Sequence, residues 1–195
     1  MEQRLKIIKK PDWISWDEIH QVLKSAHKEN HDSGVVMKHQ NMTGGEIEEL
    51  LKGNGTMFVA LSGQTLVGTI AVKIMEMSFW FGKATIAYCC FASVLPEYQG
   101  KGVYRSLAEY RESYVREKGL DIMVFNTHPK NNRILAISQR NGYRKAKYFV
   151  SRNATYVYML KWLNGCPYSY IRCQYEYWRW KTLVLVKFGI KTLLG

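Results

Sequence analysis

The stretch Gln99-Gly100-Lys101-Gly102-Val103-Tyr104-Arg105 carries the residue types that hold a phosphate. Two glycines one residue apart let the main chain come close to an anion. The helical pattern that begins at Val103 turns its first free N–H groups, and the positive end of its dipole, toward the same point. Lys101 and Arg105 add charge. Neither G-x-x-x-x-G-K-[ST] nor G-x-G-x-x-G can be written on these residues, which excludes a P-loop and a dinucleotide fingerprint.

Metal chemistry is poorly served. His27 and His31 are four apart, a spacing that lets a helix aim both at one ion, but Lys28 stands where a zincin helix carries glutamate. The four cysteines, Cys89, Cys90, Cys166 and Cys173, form no C-x-x-C pair and no dense secreted framework. The expectations are no metal, free thiols and a cytoplasmic protein. A peripheral position at the inner face of the membrane is the alternative. No apolar run approaches the roughly 20 residues of a membrane span.

The elements that must position the cradle follow from patterning. The apolar run Ala84 to Val94 reads as a central strand covered on both faces, and Val103, Leu107, Tyr110 and Tyr114 recur at helical spacing up to Lys118-Gly119. Leu120 to Phe125 is the next strand, so strand, turn, helix and strand make a βαβ unit with a parallel pair. Earlier, Leu5 to Ile8 suggests a first strand. Ser15-Trp16-Asp17-Glu18 and Thr43-Gly44-Gly45-Glu46 are capping boxes that open two helices, and Ser62-Gly63-Gln64 joins two β-rich runs as a hairpin. Met77 to Gly82 reads as an aromatic loop, either a contact for a partner or lipid surface or a piece of core. Tyr143 to Val150 and Thr155 to Trp162 read as a closing antiparallel pair.

Reached from a strand through Val94-Leu95-Pro96, Gln99 to Tyr104 resembles motif A of the GNAT superfamily of N-acetyltransferases, [QR]-x-x-G-x-[GA], with Tyr104 at a position that is normally Gly or Ala. Asn131 to Tyr143 resembles the same family's motif B, N-x-x-A-x-x-[LF]-Y-x-x-x-G-[FY], with Ile134 in place of the alanine and Ser138 in place of the tyrosine. The resemblance spans residues 3 to 163. It implies an acyl-CoA N-acyltransferase fold: α/β, with a mixed, mostly antiparallel sheet of about seven strands flanked by about four helices, and a splayed central parallel pair. It also implies an acyl-CoA domain over residues 1–165, followed by an extension over 166–195.

The implied reaction is direct attack of an amine on the thioester of acetyl-CoA or another acyl-CoA. Such an amine, with a pKa of about 10.4, must lose a proton, the developing oxyanion needs a donor, and the departing thiolate, with a pKa of about 8.5, is helped by an acid. The resemblance assigns the cofactor to Gln99, Gly100, Lys101, Gly102, Val103, Tyr104 and Arg105. It gives the oxyanion to a backbone N–H at Ala92, Ser93 or Val94, and the pantetheine arm to Asn131. His128 is the first-ranked base and Glu76 the second. Ser138 occupies the position of the acid. The acceptor is expected to be a small-molecule amine or one linked to a lipid or sugar, with His39, Gln40 and Asn41 as contact candidates. The alternative is a catalytically weak or inactive CoA-binding or membrane-docking module of the same fold.

Charge and tail bear on partners. The chain carries 28 Lys and Arg against 16 Asp and Glu, a net charge of +12, which favours a polyanionic partner. The cations are spread along the chain without a recognised motif, so nucleic acid is not expected. Cys166 to Gly195 interleaves aromatic, apolar and basic residues. That composition predicts either peripheral membrane contact or docking, onto the domain or onto a second subunit as a dimer.

Overall fold

The computed structural model describes residues 5–26, 42–150 and 155–193; the side chains of Arg133 and of residues 188–193 are not described. His27, His31, His39, Gln40 and Asn41 lie outside the described residues. The elements are β1 (Leu5–Lys9), α1 (Trp16–Ala26), α2 (Gly44–Leu51), β2 (Gly55–Ser62), β3 (Thr65–Phe79), β4 (Gly82–Val94), a 3-10 turn (Pro96–Tyr98), α3 (Val103–Glu117), β5 (Ile122–Thr127), α4 (Asn132–Arg140), β6 (Arg144–Val150), β7 (Thr155–Trp162) and α5 (Tyr170–Leu193). The strands form one mixed sheet in the order β1-β2-β3-β4-β5-β7-β6, with β4 and β5 parallel. This is the expected α/β architecture. The fifth helix, beyond the expected four, is the tail.

The chain divides into two compact units. One gathers the residues up to Met75 with Ala87–Gly119, the other Glu76–Ile86 with the residues from Leu120 onward. In the first unit β2 sorts its side chains by strand alternation. Met57, Val59 and Leu61 enter a core with Ile14, Ile19 and Leu23 of the α1 region and with Ile47 and Leu51 of α2. Phe58, between them, meets Tyr110 and Tyr114 of α3 edge-on, with centroids 5.3 and 5.1 Å away. Full burial of each such side chain is worth about 1.5–3 kcal/mol, so this layering fixes where α3 lies and hence where its N-terminus points.

Both capping boxes are formed. The Glu18 carboxylate accepts from the Ser15 backbone N–H at 2.7 Å, while the Ser15 hydroxyl accepts from the Glu18 N–H at 3.1 Å. Thr43 and Glu46 repeat the arrangement at 2.7 and 3.2 Å. The Ser15 backbone N–H, and then the Ser15 hydroxyl, hold the Glu18 carboxyl below the usual carboxylate value; Thr43 does the same for Glu46.

In the second unit β7 pairs antiparallel with both β5 and β6. The expected loop at Met77 to Gly82 is shorter than its composition suggested. Strand β3 runs to Phe79 and β4 starts at Gly82, leaving a turn of Trp80-Phe81. Its aromatic residues pack rather than reach out. Phe81 stacks on Phe79 at 5.0 Å, and Trp80 and Phe81 meet Tyr168 at 4.5 and 5.7 Å.

Helix α5 lies along β6. Cys173, Glu176 and Tyr177 are buried on its inner face, and Arg144, Lys145 and Lys147 of β6 sit over the rings of Tyr170, Tyr177 and Trp180. Glu176 is 2% exposed and binds Arg172 at 2.9 Å and Arg179 at 3.1 Å, both from its own helix. The buried carboxylate is therefore neutralised locally. Among the described residues, no helix is long and apolar enough to cross a membrane.

Candidate active site

The loop from Gln99 to Arg105 is built by two backbone turns. Tyr98 and Gln99 donate their N–H groups to Leu95 and Pro96 carbonyls at 2.9 and 3.2 Å, closing the 3-10 turn. The Gln99 side-chain amide then donates to the Val94 carbonyl at 3.1 Å, tying the loop back to the end of β4. Gly100 and Gly102 follow at φ +75° and +81°, a left-handed conformation in which an L-residue is strained by about 1–2 kcal/mol.

Gly102 is the N-cap of α3, and no side chain caps that end. A Cβ placed on Gly100 or Gly102 would meet nothing within 4 Å. Positive φ, not protein packing, calls for glycine at these two positions, and the side that a Cβ would occupy is open. An uncapped helix N-terminus beside two glycines facing open space fits a pyrophosphate.

The cations named from the sequence are engaged nearby. Lys101 lies over the Tyr98 ring at 5.3 Å, and Arg105 pairs with Glu109 one turn along the exposed face of α3 at 2.9 Å. Tyr104 is 41% exposed on the first turn. Val103 and Leu107 are buried and anchor the helix from beneath.

Ala92, Ser93 and Val94 end β4 after an irregularity that the sequence did not announce. Phe91 has φ +51°, rare for a bulky residue and costly enough to mark a functional or tightly determined position. Its side chain sits in the core against α1 and α2, while its carbonyl accepts from the buried Thr69 hydroxyl at 2.9 Å. Gly68 also has a specific task. A Cβ there would come within 3.0 Å of the Ser93 carbonyl oxygen, 3.1 Å of Leu107 and 3.3 Å of Val103. Phe91 had no sequence signal, whereas an isolated glycine inside the β run at Gly68 was a readable one.

The remaining predicted residues belong to the second unit. Asn131 is the N-cap of α4, its side-chain oxygen accepting from the Ile134 N–H at 3.2 Å, so its amide N–H groups are the atoms left for another partner. His128 follows β5, and its Nδ1 accepts from the Lys130 N–H at 3.2 Å. A neutral imidazole used this way carries its proton on Nε2, so that nitrogen offers a donor. Ser138 is buried on α4, and its carbonyl accepts from the Tyr143 N–H at 3.0 Å. Glu76 is exposed late on β3. Thr127, which the sequence did not flag, is buried beside His128, and its hydroxyl has no hydrogen-bond partner among the described residues.

Cysteine and metal chemistry have little footing among the described residues. None of the four cysteines is in a disulfide. Desolvation, with the Cys89 thiol next to it, pushes Cys90 up to about 12, so it keeps its proton and is no nucleophile. No group of three His, Cys, Asp or Glu side chains is placed to hold a metal among the described residues.

The model of the acetyltransferase (GNAT) family matches residues 16–143, more than half of the chain and including both motifs. The chain belongs to the GNAT acetyltransferase family. Solved structures of that fold lie close by. A GNAT acetyltransferase from Staphylococcus aureus Mu50 matches with a TM-score of 0.63 at 16% identity, over 82% of this chain and 99% of the other. The PaiA N-acetyltransferase from Thermoplasma acidophilum, solved in complex with coenzyme A, matches at 0.59 and 17% over 82% and 99%. An aminoglycoside 6′-acetyltransferase type Ii matches at 0.64 and 15% over 83% and 99%. At such identities these likenesses show the fold. No curated protein matches the chain.

Proposed function

We propose that this GNAT protein is an N-acyltransferase that moves an acetyl or other acyl group from acyl-CoA to an amine by direct attack. One observation carries the reading. In a chain of this family, the N-terminus of α3 is uncapped beneath two left-handed glycines whose outer side is open.

Bound acyl-CoA supplies the activated thioester. The chain's own residues do the rest. The N–H groups from Gly100 to Arg105 hold the pyrophosphate, with the helix dipole behind them and Lys101 beside them. Gln99 keeps the loop in place through its bond to Val94. A backbone N–H at Ala92, Ser93 or Val94 stabilises the oxyanion, and the Asn131 amide, freed of its oxygen by the cap, donates to the pantetheine arm.

Proton handling falls to His128, Glu76 and Ser138. His128 accepts the amine's proton only after its Nδ1 gives up the Lys130 N–H or its tautomer changes. The thiol is a good leaving group, so a weak acid at Ser138 slows the reaction without forbidding it.

Two proteins of similar fold frame the acceptor class: one acetylates an aminoglycoside, and another, the ribosomal-protein-S18-alanine N-acetyltransferase from Escherichia coli, an alanine of a ribosomal protein. The expected acceptor here is an amine of a small molecule or of a lipid- or sugar-linked carrier. The test is incubation with acetyl-CoA across an amine panel, reading free thiol release and the mass of the product. Transfer to any amine supports the proposal. Saturable CoA binding with no transfer supports the second reading, a CoA-binding module, which the serine at 138 and the His128 tautomer favour.

A further inference from the structure

Helix α5 buries one face and exposes an apolar stripe on the other. The inner stripe is Cys173, Glu176 and Tyr177. On the opposite side Ile171, Tyr175, Trp178, Leu185 and Val186 recur at helical spacing and are 79, 60, 55, 45 and 54% exposed. An apolar stripe of this width on a helix that already has its core partner calls for a second cover.

Charge selects the occupant. Helix α5 as far as Lys187 carries Arg172, Arg179, Lys181 and Lys187 against the single carboxylate of Glu176. Four positive groups against one negative therefore share the helix with the stripe. Lys181 sits over the Trp178 ring at 4.6 Å, placing an ammonium at the edge of the apolar surface. A second copy of this face would bring like charge against like charge. An anionic lipid surface complements it: aromatic rings settle at the headgroup level, aliphatic tips enter the acyl boundary and lysines reach up to phosphates.

We propose that the outward face of α5 docks the protein flat on an anionic lipid bilayer. The helix lies in the interface and does not cross it. This docking is independent of whether the protein transfers acyl groups.

The test uses the full chain with vesicles of phosphatidylcholine alone and of phosphatidylcholine mixed with phosphatidylglycerol, read by co-sedimentation and by tryptophan emission. Binding to the anionic vesicles, weakened by salt and accompanied by a blue shift that Trp178→Phe diminishes, is expected. Lys181→Gln should weaken partitioning by about 5-fold, at roughly 1 kcal/mol per cation. Val186→Asp, at a solvent-facing position, should weaken it at least about 10-fold, since a charge replaces an inserted aliphatic group, with the thermal midpoint unchanged. Equal binding to both vesicle types, no binding to either, or unaltered binding by Val186→Asp overturns the proposal. So does a salt-resistant dimer that Val186→Asp dissolves, which would make the face a contact between copies.

Discussion

Replacing Gly102 by valine separates the fold's need for glycine from the ligand's need for it. Gly102 has φ +81°, and a Cβ there meets nothing within 4 Å. Steric conflict inside the protein is absent, so the cost to the free protein is the left-handed strain alone, about 1–2 kcal/mol. For a chain of this length that lowers the melting temperature by about 2–8 °C. The valine methyls occupy the open side of the cradle, where the proposed pyrophosphate would approach the first turn of α3. Acetyl-CoA at 100 times its Kd stabilises the native state by about 2.7 kcal/mol, a rise of about 5–11 °C. If Gly102→Val weakens binding about 100-fold, the same concentration leaves roughly 0.4 kcal/mol, near 1 °C. Gly119→Val is the control. It sits at the other end of α3 with φ +68° and equally open space, so it incurs the same strain yet should keep the full ligand shift. Differential scanning fluorimetry of the three proteins with and without acetyl-CoA reads the result. A full shift retained by Gly102→Val, or a shift lost equally in Gly119→Val, would refute the cradle.

Three further variants probe the supports. Gly68→Ala puts a methyl 3.0 Å from the Ser93 carbonyl oxygen and close to Leu107 and Val103; urea denaturation should show a loss of about 1–3 kcal/mol, as for other overpacked sites, and no loss would mean that the strand and helix separate readily. Glu176→Gln keeps the volume but removes the charge that Arg172 and Arg179 share; because both arginines are more than half exposed and can return to water, the cost should be about 1 kcal/mol, measurable as a fall of about 2–4 °C. The capping boxes give a pH dependence. Glu18 and Glu46 have folded-state pKa values below the ordinary 4.5, so their contribution is present above that value and lost as pH falls through the lower folded one. Thermal melts across that acid range should fall more steeply for the wild type than for Glu18→Gln combined with Glu46→Gln, and parallel curves would contradict the assignment.

Legibility followed the kind of force involved. The turn conformation at Gln99 to Arg105 was readable because backbone geometry demands particular residues there: glycine for positive φ, and a helix start without Ser, Thr, Asp or Asn at its N-cap. The capping boxes were readable for the same local reason. Sequence leaves open whether the aromatic residues at Trp80-Phe81 pack or reach out, because their partners, Trp162 and Tyr168, lie some 80 residues away, and no local pattern shows them. Phe91 was invisible, since nothing about a phenylalanine announces a positive φ imposed by its surroundings.

The tail shows why composition alone left alternatives open there. Periodicity finds a helix by its contrast between two faces, and α5 has little contrast to find, because Cys173 and Tyr177 mark one face and Tyr175, Trp178 and Leu185 the other. Burial separates them. Glu176 lies on the inward face, where its own two arginines neutralise it and let a carboxylate be buried. Arg172, besides binding Glu176, lies over the Trp80 ring at 5.5 Å, so the same side chain joins the helix to the turn between β3 and β4. The outward stripe is consequently not surplus core that failed to find a place. It is a second apolar surface, held at a fixed rotation by contacts on the opposite side of the helix, and a rigid mounting is what an interface needs if its rings are to meet a partner together.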